Sequence, residues 1–123
     1  MNLTDWNILL SCEHAGNRLP KNWSFLRKSI SKSLLESHYA WDIGALKLAQ
    51  KLQKTLDIKL FFYPYTRLVV DLNRSAHRCL GIATKDLDEN SKRKLIGELY
   101  EPYRQQIFKY LEQSIASKKK CYI

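Results

Sequence analysis

The sequence predicts an α/β fold in which a largely parallel sheet is flanked by helices. Two features predict this fold: short, continuously apolar runs of strand length, and longer segments of helical periodicity that alternate with them. Continuously apolar strands are typical of parallel sheets, whose two faces are both covered. A length of 123 residues with 45% hydrophobic content suits one compact domain and is too small for two.

The first elements of the pattern are a strand and a short helix. Residues 7–12 contain three successive apolar side chains, which is the length of a short buried strand. Polar and turn-forming residues follow at once. Apolar side chains then recur at helical spacing from Ile30 to Leu35, so a short helix is predicted within residues 29–37.

The clearest amphipathic helix is predicted over residues 42–56. Apolar side chains recur along one side of this helix, and lysine and glutamine occupy the other. Asp42 stands at the position of the N-cap. The apolar positions are Ile43, Leu46, Leu48 or Ala49, Leu52 and Leu56.

Two further strands and a long helical segment complete the pattern. Residues 59–63 form one apolar run and residues 68–72 form another. A helical pattern then runs over residues 91–111. Pro102 is expected to interrupt this pattern, because proline suits the first turn of a new helix. Residues 121–123 resemble the beginning of one more strand.

The predicted third strand ends in polar groups that are costly to bury. With period-two alternation, Arg67, Asp71 and Asn73 share one face of the strand, while Arg74 lies on the other. Because a buried charge needs a partner, Arg67 and Asp71 either pair with each other as a structural brace or meet a charged ligand. The planar guanidinium of Arg74 suits bidentate binding of a carboxylate.

Two other places collect polar side chains at the ends of predicted elements. Glu13 and His14 follow the first strand, at the edge where ligands gather in open α/β sheets, so they are candidates to hold a metal ion or a reacting group. A lone histidine is more often structural than a metal ligand. Asp42 either caps the helix that it precedes or faces the same cleft. Gly44 would permit close packing at the start of that helix.

Composition and charge argue against several classes of protein. No stretch approaches the roughly 20 apolar residues of a membrane span, and the N-terminus lacks a secretory pattern, so a soluble cytoplasmic protein is expected. Cys12, Cys79 and Cys121 form no Cys-x-x-Cys pair, which favours free thiols. No phosphate-binding glycine loop or nucleophile elbow is present. The net charge of +9 would suit a nucleic-acid partner, but the basic residues are spread diffusely.

Four motifs stand in order along the chain: Ser11-Cys-Glu-His-Ala-Gly-Asn17 with Pro20, His38-Tyr-Ala-Trp-Asp-Ile-Gly44, Thr66-Arg-Leu-Val-Val-Asp-Leu-Asn-Arg-Ser75 and Leu99-Tyr-Glu-Pro-Tyr103. Together they resemble the N-formylglutamate amidohydrolase family, and the resemblance covers almost the whole chain. It implies a layered α/β fold similar to that of zinc peptidases and phosphorylase/hydrolase-like proteins. It also implies hydrolysis of N-formyl-L-glutamate, a small anionic N-acyl amino acid, to glutamate and formate.

The same resemblance implies a role for each polar residue. Zinc is the implied cofactor, His14 its ligand, and Glu13 or Asp42 either a second ligand or the carboxylate that moves the proton. These last two roles stay open between the two residues. The residues that would hold the substrate carboxylates are Arg67, Asn73 and Arg74, with Asp71 orienting an arginine.

Two departures from the family pattern shape the expectation for this chain. Arg104 stands where the family usually has a histidine, and family members are longer, with a further metal-ligand histidine after the strand that begins here at Cys121. Residues 1–123 are therefore expected to be a single α/β domain that forms the N-terminal part of a longer hydrolase domain, incomplete at its C-terminal end. The truncated chain is expected to be inactive. The alternatives are a non-catalytic domain that binds acidic small molecules and, less favoured, a basic nucleic-acid-binding module.

Overall fold

A computed structural model describes residues 6–117 and the backbone of residues 120–122. Its sheet has three strands, β1 (Trp6–Cys12), β2 (Lys59–Phe62) and β3 (Lys120–Tyr122), in the order β2-β1-β3. Both pairings are parallel. The prediction of an α/β fold with a parallel sheet is confirmed, and the three strands begin within a residue or two of the predicted positions.

The helices follow the predicted order. The long C-terminal pattern is divided by one π-helical turn, in which the Glu101 N–H donates to the carbonyl of Ile96, and Pro102 then lies in the first turn of the last helix. The interruption near Pro102 is thus confirmed. The α-helices are α1 (Lys32–Leu35), α2 (Ala45–Leu56), α3 (Glu89–Leu95) and α4 (Glu101–Ala116); the π turn is Ile96–Tyr100, and 3-10 turns span Lys21–Ser29 and Ala76–Arg78.

The strand predicted at residues 68–72 is not formed. This segment turns, and only Val70 makes an isolated antiparallel bridge, to Leu80. Its backbone groups are satisfied by residues 79–83 instead of by the sheet: Gly81 N–H donates to the Val69 carbonyl at 3.0 Å. The side chains are nevertheless as buried as a central strand would make them. An apolar, β-branched run therefore indicated burial correctly and the backbone conformation incorrectly.

The start of α2 also differs from the prediction. The helix begins at Ala45, and Gly44 is its N-cap with φ of +89°, a conformation that favours glycine. A Cβ at Gly44 would meet nothing within 4 Å, so this glycine supplies backbone conformation and not close packing. Asp42 lies two residues before the cap and does not cap the helix with its side chain.

Helix α2 buries less of its apolar side than predicted. Ala45, Leu46 and Ala49 pack against the sheet through Cys12 and Leu60. The other predicted apolar positions, Ile43, Leu48, Leu52 and Leu56, are 37–65% exposed.

The main core lies between the sheet and the C-terminal helices. Phe61 of β2, Val69 of the turning segment and Leu95 of α3 belong to it. Cys12 and Cys79 are free thiols, as predicted; both are buried, and burial raises the pKa of each. In the part of the chain that the structure describes, no helix has the length and apolar character needed to cross a membrane.

Candidate functional site

His14 lies just beyond β1, with its imidazole between two carboxylates. Its Nε2 is 2.7 Å from Asp71 Oδ1, and its Nδ1 is 3.3 Å from Asp42 Oδ2. The loop that carries Asp42 is tied to the end of β1, because Asp42 N–H donates to the His14 carbonyl at 3.0 Å. Arg67 Nη1, which can only donate, lies 3.1 Å from Nδ1, so Nδ1 keeps its lone pair and the Nε2 proton is hydrogen-bonded to Asp71.

Asp71 is a buried carboxylate whose two oxygens are both used. Oδ1 accepts from His14 and from the backbone N–H of Asn73 at 3.0 Å. Oδ2 lies 3.2 Å from Nε of Arg74. Since only 8% of Asp71 is exposed, these three donors compensate a charge that water cannot solvate well. Asp71 thus contacts both the imidazole and one arginine.

Arg67 is held almost completely by other parts of the protein. Its Nε donates to the Tyr39 carbonyl at 3.0 Å, and its Nη2 donates to the His38 carbonyl and lies 3.2 Å from Asp42 Oδ1. Its Nη1 is 3.1 Å from His14 Nδ1. Four of the five N–H groups of a guanidinium therefore have partners within the protein. Among the described residues Arg67 and Asp71 do not pair directly; they meet through His14. His14, Asp42, Arg67 and Asp71 are called the His14 cluster below.

Arg74 is the open arginine of the site. Its side chain is 62% exposed, Nε pairs with Asp71, and neither terminal nitrogen has a partner in the described part of the chain. It lines a cavity of about 300 Å³ together with Arg67 and Asp71. The remaining wall is mostly apolar and is formed by Leu34, Tyr39, Leu68, Leu80, Gly81 and Ile82. This Arg74 cavity can take a small carboxylate at its charged end.

Two predicted site residues lie apart from this arrangement. Glu13 lines a separate cavity of about 180 Å³ with Tyr103 and Arg104. Burial raises the pKa of Tyr103 and the Glu13 charge raises it further, so this phenol stays protonated. Asn73 is exposed and contributes its backbone N–H to Asp71. Neither the Glu13 nor the Asn73 side chain lines the Arg74 cavity.

Two apolar side chains of the Arg74 cavity wall were not predicted from the sequence. Leu80 and Ile82 come from a region without clear periodicity, so no pattern marked them. Gly81 between them is the available sequence signal, because glycine often marks a close approach of two backbone segments. In the structure a Cβ at this position would lie 2.2 Å from the Leu68 carbonyl oxygen. Only glycine permits this close approach of the two backbone segments.

The His14 cluster matches part of the geometry that a zinc ion needs. Neighbouring ligand atoms of a tetrahedral zinc site with bonds of about 2.0–2.1 Å lie about 3.3 Å apart, which matches His14 Nδ1 and Asp42 Oδ2. Asp71 on Nε2 fits the carboxylate that orients a metal-binding histidine. However, no three His, Cys, Asp or Glu side chains of the described residues form a metal-binding group. The described residues fit two ligand positions of a zinc site and do not complete one.

Comparisons with known proteins agree with this arrangement of motifs. The sequence profile of the N-formylglutamate amidohydrolase family matches residues 6–123. The crystal structure of a gene product from Agrobacterium tumefaciens matches with a TM-score of 0.82 and 29% sequence identity, over 94% of this chain and 49% of that protein. The chain thus spans about half the length of that structural relative. No curated protein matches the chain significantly.

Proposed function

The chain belongs to the N-formylglutamate amidohydrolase family, and from this premise we propose that it carries part of the active site of a metal-dependent amide hydrolase. The proposed reaction converts N-formyl-L-glutamate and water to glutamate and formate. One observation supports the proposal most directly: the Asp71 carboxylate contacts both His14, the proposed metal ligand, and Arg74, the proposed carboxylate-binding residue. One buried side chain thereby connects the proposed metal ligand with the proposed substrate-binding arginine, and this reaction requires both.

His14 and Asp42 are the proposed zinc-holding residues. A bound zinc ion supplies a Lewis acid for the amide carbonyl and activates water at neutral pH. Asp71 keeps the His14 Nε2 proton in place, so that the Nδ1 lone pair is left for a metal ion that would lie between Nδ1 and Asp42 Oδ2. Arg67 holds the other oxygen of Asp42 and so directs Oδ2 toward the imidazole.

The proton-transfer role is proposed for a carboxylate of the same site, and Asp42 is better placed for it than Glu13. Asp42 is half-exposed and lies beside the imidazole, whereas Glu13 lines the other cavity. A half-exposed carboxylate can both accept a proton from a nearby water and release it to the leaving amine. Asp42 therefore remains a candidate for either role, second ligand or proton carrier.

Arg74 is the proposed principal contact of the substrate carboxylate. Its two terminal nitrogens are free among the described residues, which leaves the bidentate edge of the guanidinium open. Arg67 has a single N–H left after its contacts within the protein, so its proposed contribution is smaller. Because the described residues supply two ligand positions, we expect the isolated chain to bind zinc weakly and to hydrolyse N-formylglutamate slowly or not at all.

Calorimetric titration of the metal-free chain tests this proposal, with zinc and N-formylglutamate as separate ligands. His14→Ala should abolish the zinc signal, whereas His77→Ala, which removes an exposed histidine outside the site, should leave it unchanged. A zinc signal that persists in His14→Ala would indicate binding elsewhere on the chain and contradict the assignment of His14.

A second candidate is a domain that binds anions without catalysis. It is favoured by the position of the Arg67 guanidinium, whose Nη1 is 3.1 Å from the Nδ1 atom that a metal would use. A positive charge at this place opposes a second cation. Binding of N-formylglutamate by a chain that takes up no zinc would support this second candidate over the first.

A further inference from the structure

Arg74 projects from a turn that is itself exposed. Asn73, Arg74 and Ser75 are all exposed, and Arg74 is separated from the buried part of the segment by only one residue. A guanidinium that binds a carboxylate bidentately must be held in orientation, since both of its donors have to reach the ligand together. The contact with Asp71 fixes the Nε end of the side chain and leaves the backbone of the turn to be fixed by other residues.

Two side chains of the C-terminal helical segment hold that backbone. The Tyr100 hydroxyl donates to the Arg74 carbonyl at 2.8 Å. Nη2 of Arg104 donates to the Leu72 carbonyl at 2.8 Å and lies 3.3 Å from the Arg74 carbonyl. The carbonyl of Arg74 thus accepts from two donors, and Arg104 joins the two ends of the turn, residues 72–74.

The π-helical turn makes this contact possible. Leu95 and Tyr100 are both buried, although residues five apart on an α-helix point about 140° away from each other. The hydrogen bond from Glu101 N–H to the Ile96 carbonyl is the i→i+5 bond of a π turn, which brings the two residues to one side. Tyr100 and, one turn later, Arg104 therefore face the turn that carries Arg74.

Among the described residues, the hydrogen bonds of Arg104 go only to this turn. It makes no ion pair in the described part of the chain, its guanidinium lies 5.2 Å from the centre of the Tyr100 ring, and its Nε is buried without a partner. Its polar contacts are the two carbonyls of the turn. A charged side chain is thus held partly inside the protein, and the groups that receive its hydrogen bonds belong to the segment that presents Arg74.

We propose that Arg104, together with Tyr100, is a positioning residue that orients the Arg74 guanidinium for binding of the substrate carboxylate. The identity of the ligand rests on the proposed function, whereas the ordering of Arg74 is a property of the free protein. The two parts can therefore be tested separately.

NMR of the ligand-free chain tests the ordering. The Nε–H signal of Arg74, assigned by its loss in Arg74→Gln, should be ordered and slow to exchange in the wild type because Nε–H pairs with Asp71. Arg104→Met should make this signal mobile and fast-exchanging, whereas Lys109→Gln removes one exposed charge from the same helix and should not. An unchanged Arg74 signal in folded Arg104→Met would overturn the proposal.

Tyr100→Phe provides a milder variant should Arg104→Met fail to fold. It retains the ring in the core and removes one of the two donors to the Arg74 carbonyl. A partial loss of order at Arg74, with the rest of the spectrum unchanged, is the expected result. An Arg74 signal identical to that of the wild type would overturn the role of Tyr100 and, with it, the two-donor arrangement.

Binding of N-formylglutamate gives an independent measurement. In the otherwise wild-type chain, Arg104→Met should weaken binding of N-formylglutamate about fivefold or more. In the Arg74→Gln variant the same change should weaken binding less than about twofold, because Arg104 acts through Arg74. The same loss in both backgrounds would indicate a general structural effect and overturn the proposal. If binding is insensitive to Arg74→Gln while the NMR result holds, the proposed substrate contact fails and the positioning of Arg74 stands.

Discussion

The His14 cluster and the Arg74 turn differ in how completely their polar groups are satisfied. In the cluster, both imidazole nitrogens of His14 and four donors of Arg67 meet partners within the protein. On the turn, Arg74 is mostly exposed and uses one of its three nitrogens among the described residues. The cluster is preorganised before any ligand arrives, and the turn offers the open donors that an anionic ligand can fill.

Asp71 is the residue on which both regions depend, so its replacement has the largest expected effect. Asp71→Asn leaves His14 and Arg74 without their charged acceptor and should lower the free energy of unfolding by about 3 kcal/mol. Urea denaturation measures this loss. The matched control is Asp86→Asn, which removes an exposed carboxylate and should change stability little. Equal effects of the two changes would show that Asp71 does not link the regions.

The next largest effect is expected at the wall of the Arg74 cavity. Gly81→Ala places a Cβ 2.2 Å from the Leu68 carbonyl oxygen and 2.5 Å from that of Arg67, so the backbone behind both regions must shift. We expect Gly81→Ala to lower the free energy of unfolding by about 2 kcal/mol or more. Gly97→Ala, whose Cβ would meet nothing within 4 Å, should be neutral or slightly stabilising in a thermal melt. A melting temperature unchanged by Gly81→Ala would contradict the close approach.

Arg67→Met should affect the His14 cluster in two opposite directions. Loss of its hydrogen bonds should lower the free energy of unfolding by about 1.5 kcal/mol. Removal of the positive charge beside His14 Nδ1 should raise zinc affinity about tenfold, because two cations no longer compete for one place. Denaturation and zinc titration of the same sample measure both. Zinc affinity that falls together with stability would show that Arg67 supports the metal ligands more than it opposes the metal.

Arg74→Gln should have the smallest effect on stability and a clear effect on binding. Arg74 is mostly exposed, and Asp71 Oδ1 keeps its two other donors, so the free energy of unfolding should fall by only about 1 kcal/mol. Binding of N-formylglutamate should weaken about tenfold or more, since the open guanidinium is lost. Arg78→Gln, on the next exposed turn, is the matched control for charge. Equal weakening by both variants would indicate a diffuse electrostatic attraction instead of a built contact.

Sequence patterns predicted the three strands of the sheet, the helix order and the burial of residues 68–72, because these properties depend on local periodicity and apolar character. They did not predict the conformation of residues 68–72. The partners of that backbone are residues 79–83, which carry no regular pattern. The four motifs indicated which segments form the site, and of the predicted site side chains five come together in the structure while Glu13 and Asn73 lie apart.

The role of Asp42 depends on tertiary contacts that its local sequence does not determine. A carboxylate just before a helix is equally consistent with a cap and with a cleft residue. The conformation of Gly44 moves the helix start beyond Asp42, and its carboxylate meets an imidazole 28 residues earlier in the chain. The chain's own residue order determined an α/β domain with its polar motifs at element ends. Only the tertiary structure determined which of these polar residues contact each other, because contacts between distant segments depend on how the whole core packs. His14 and Asp71, for example, are separated by 57 positions in the chain.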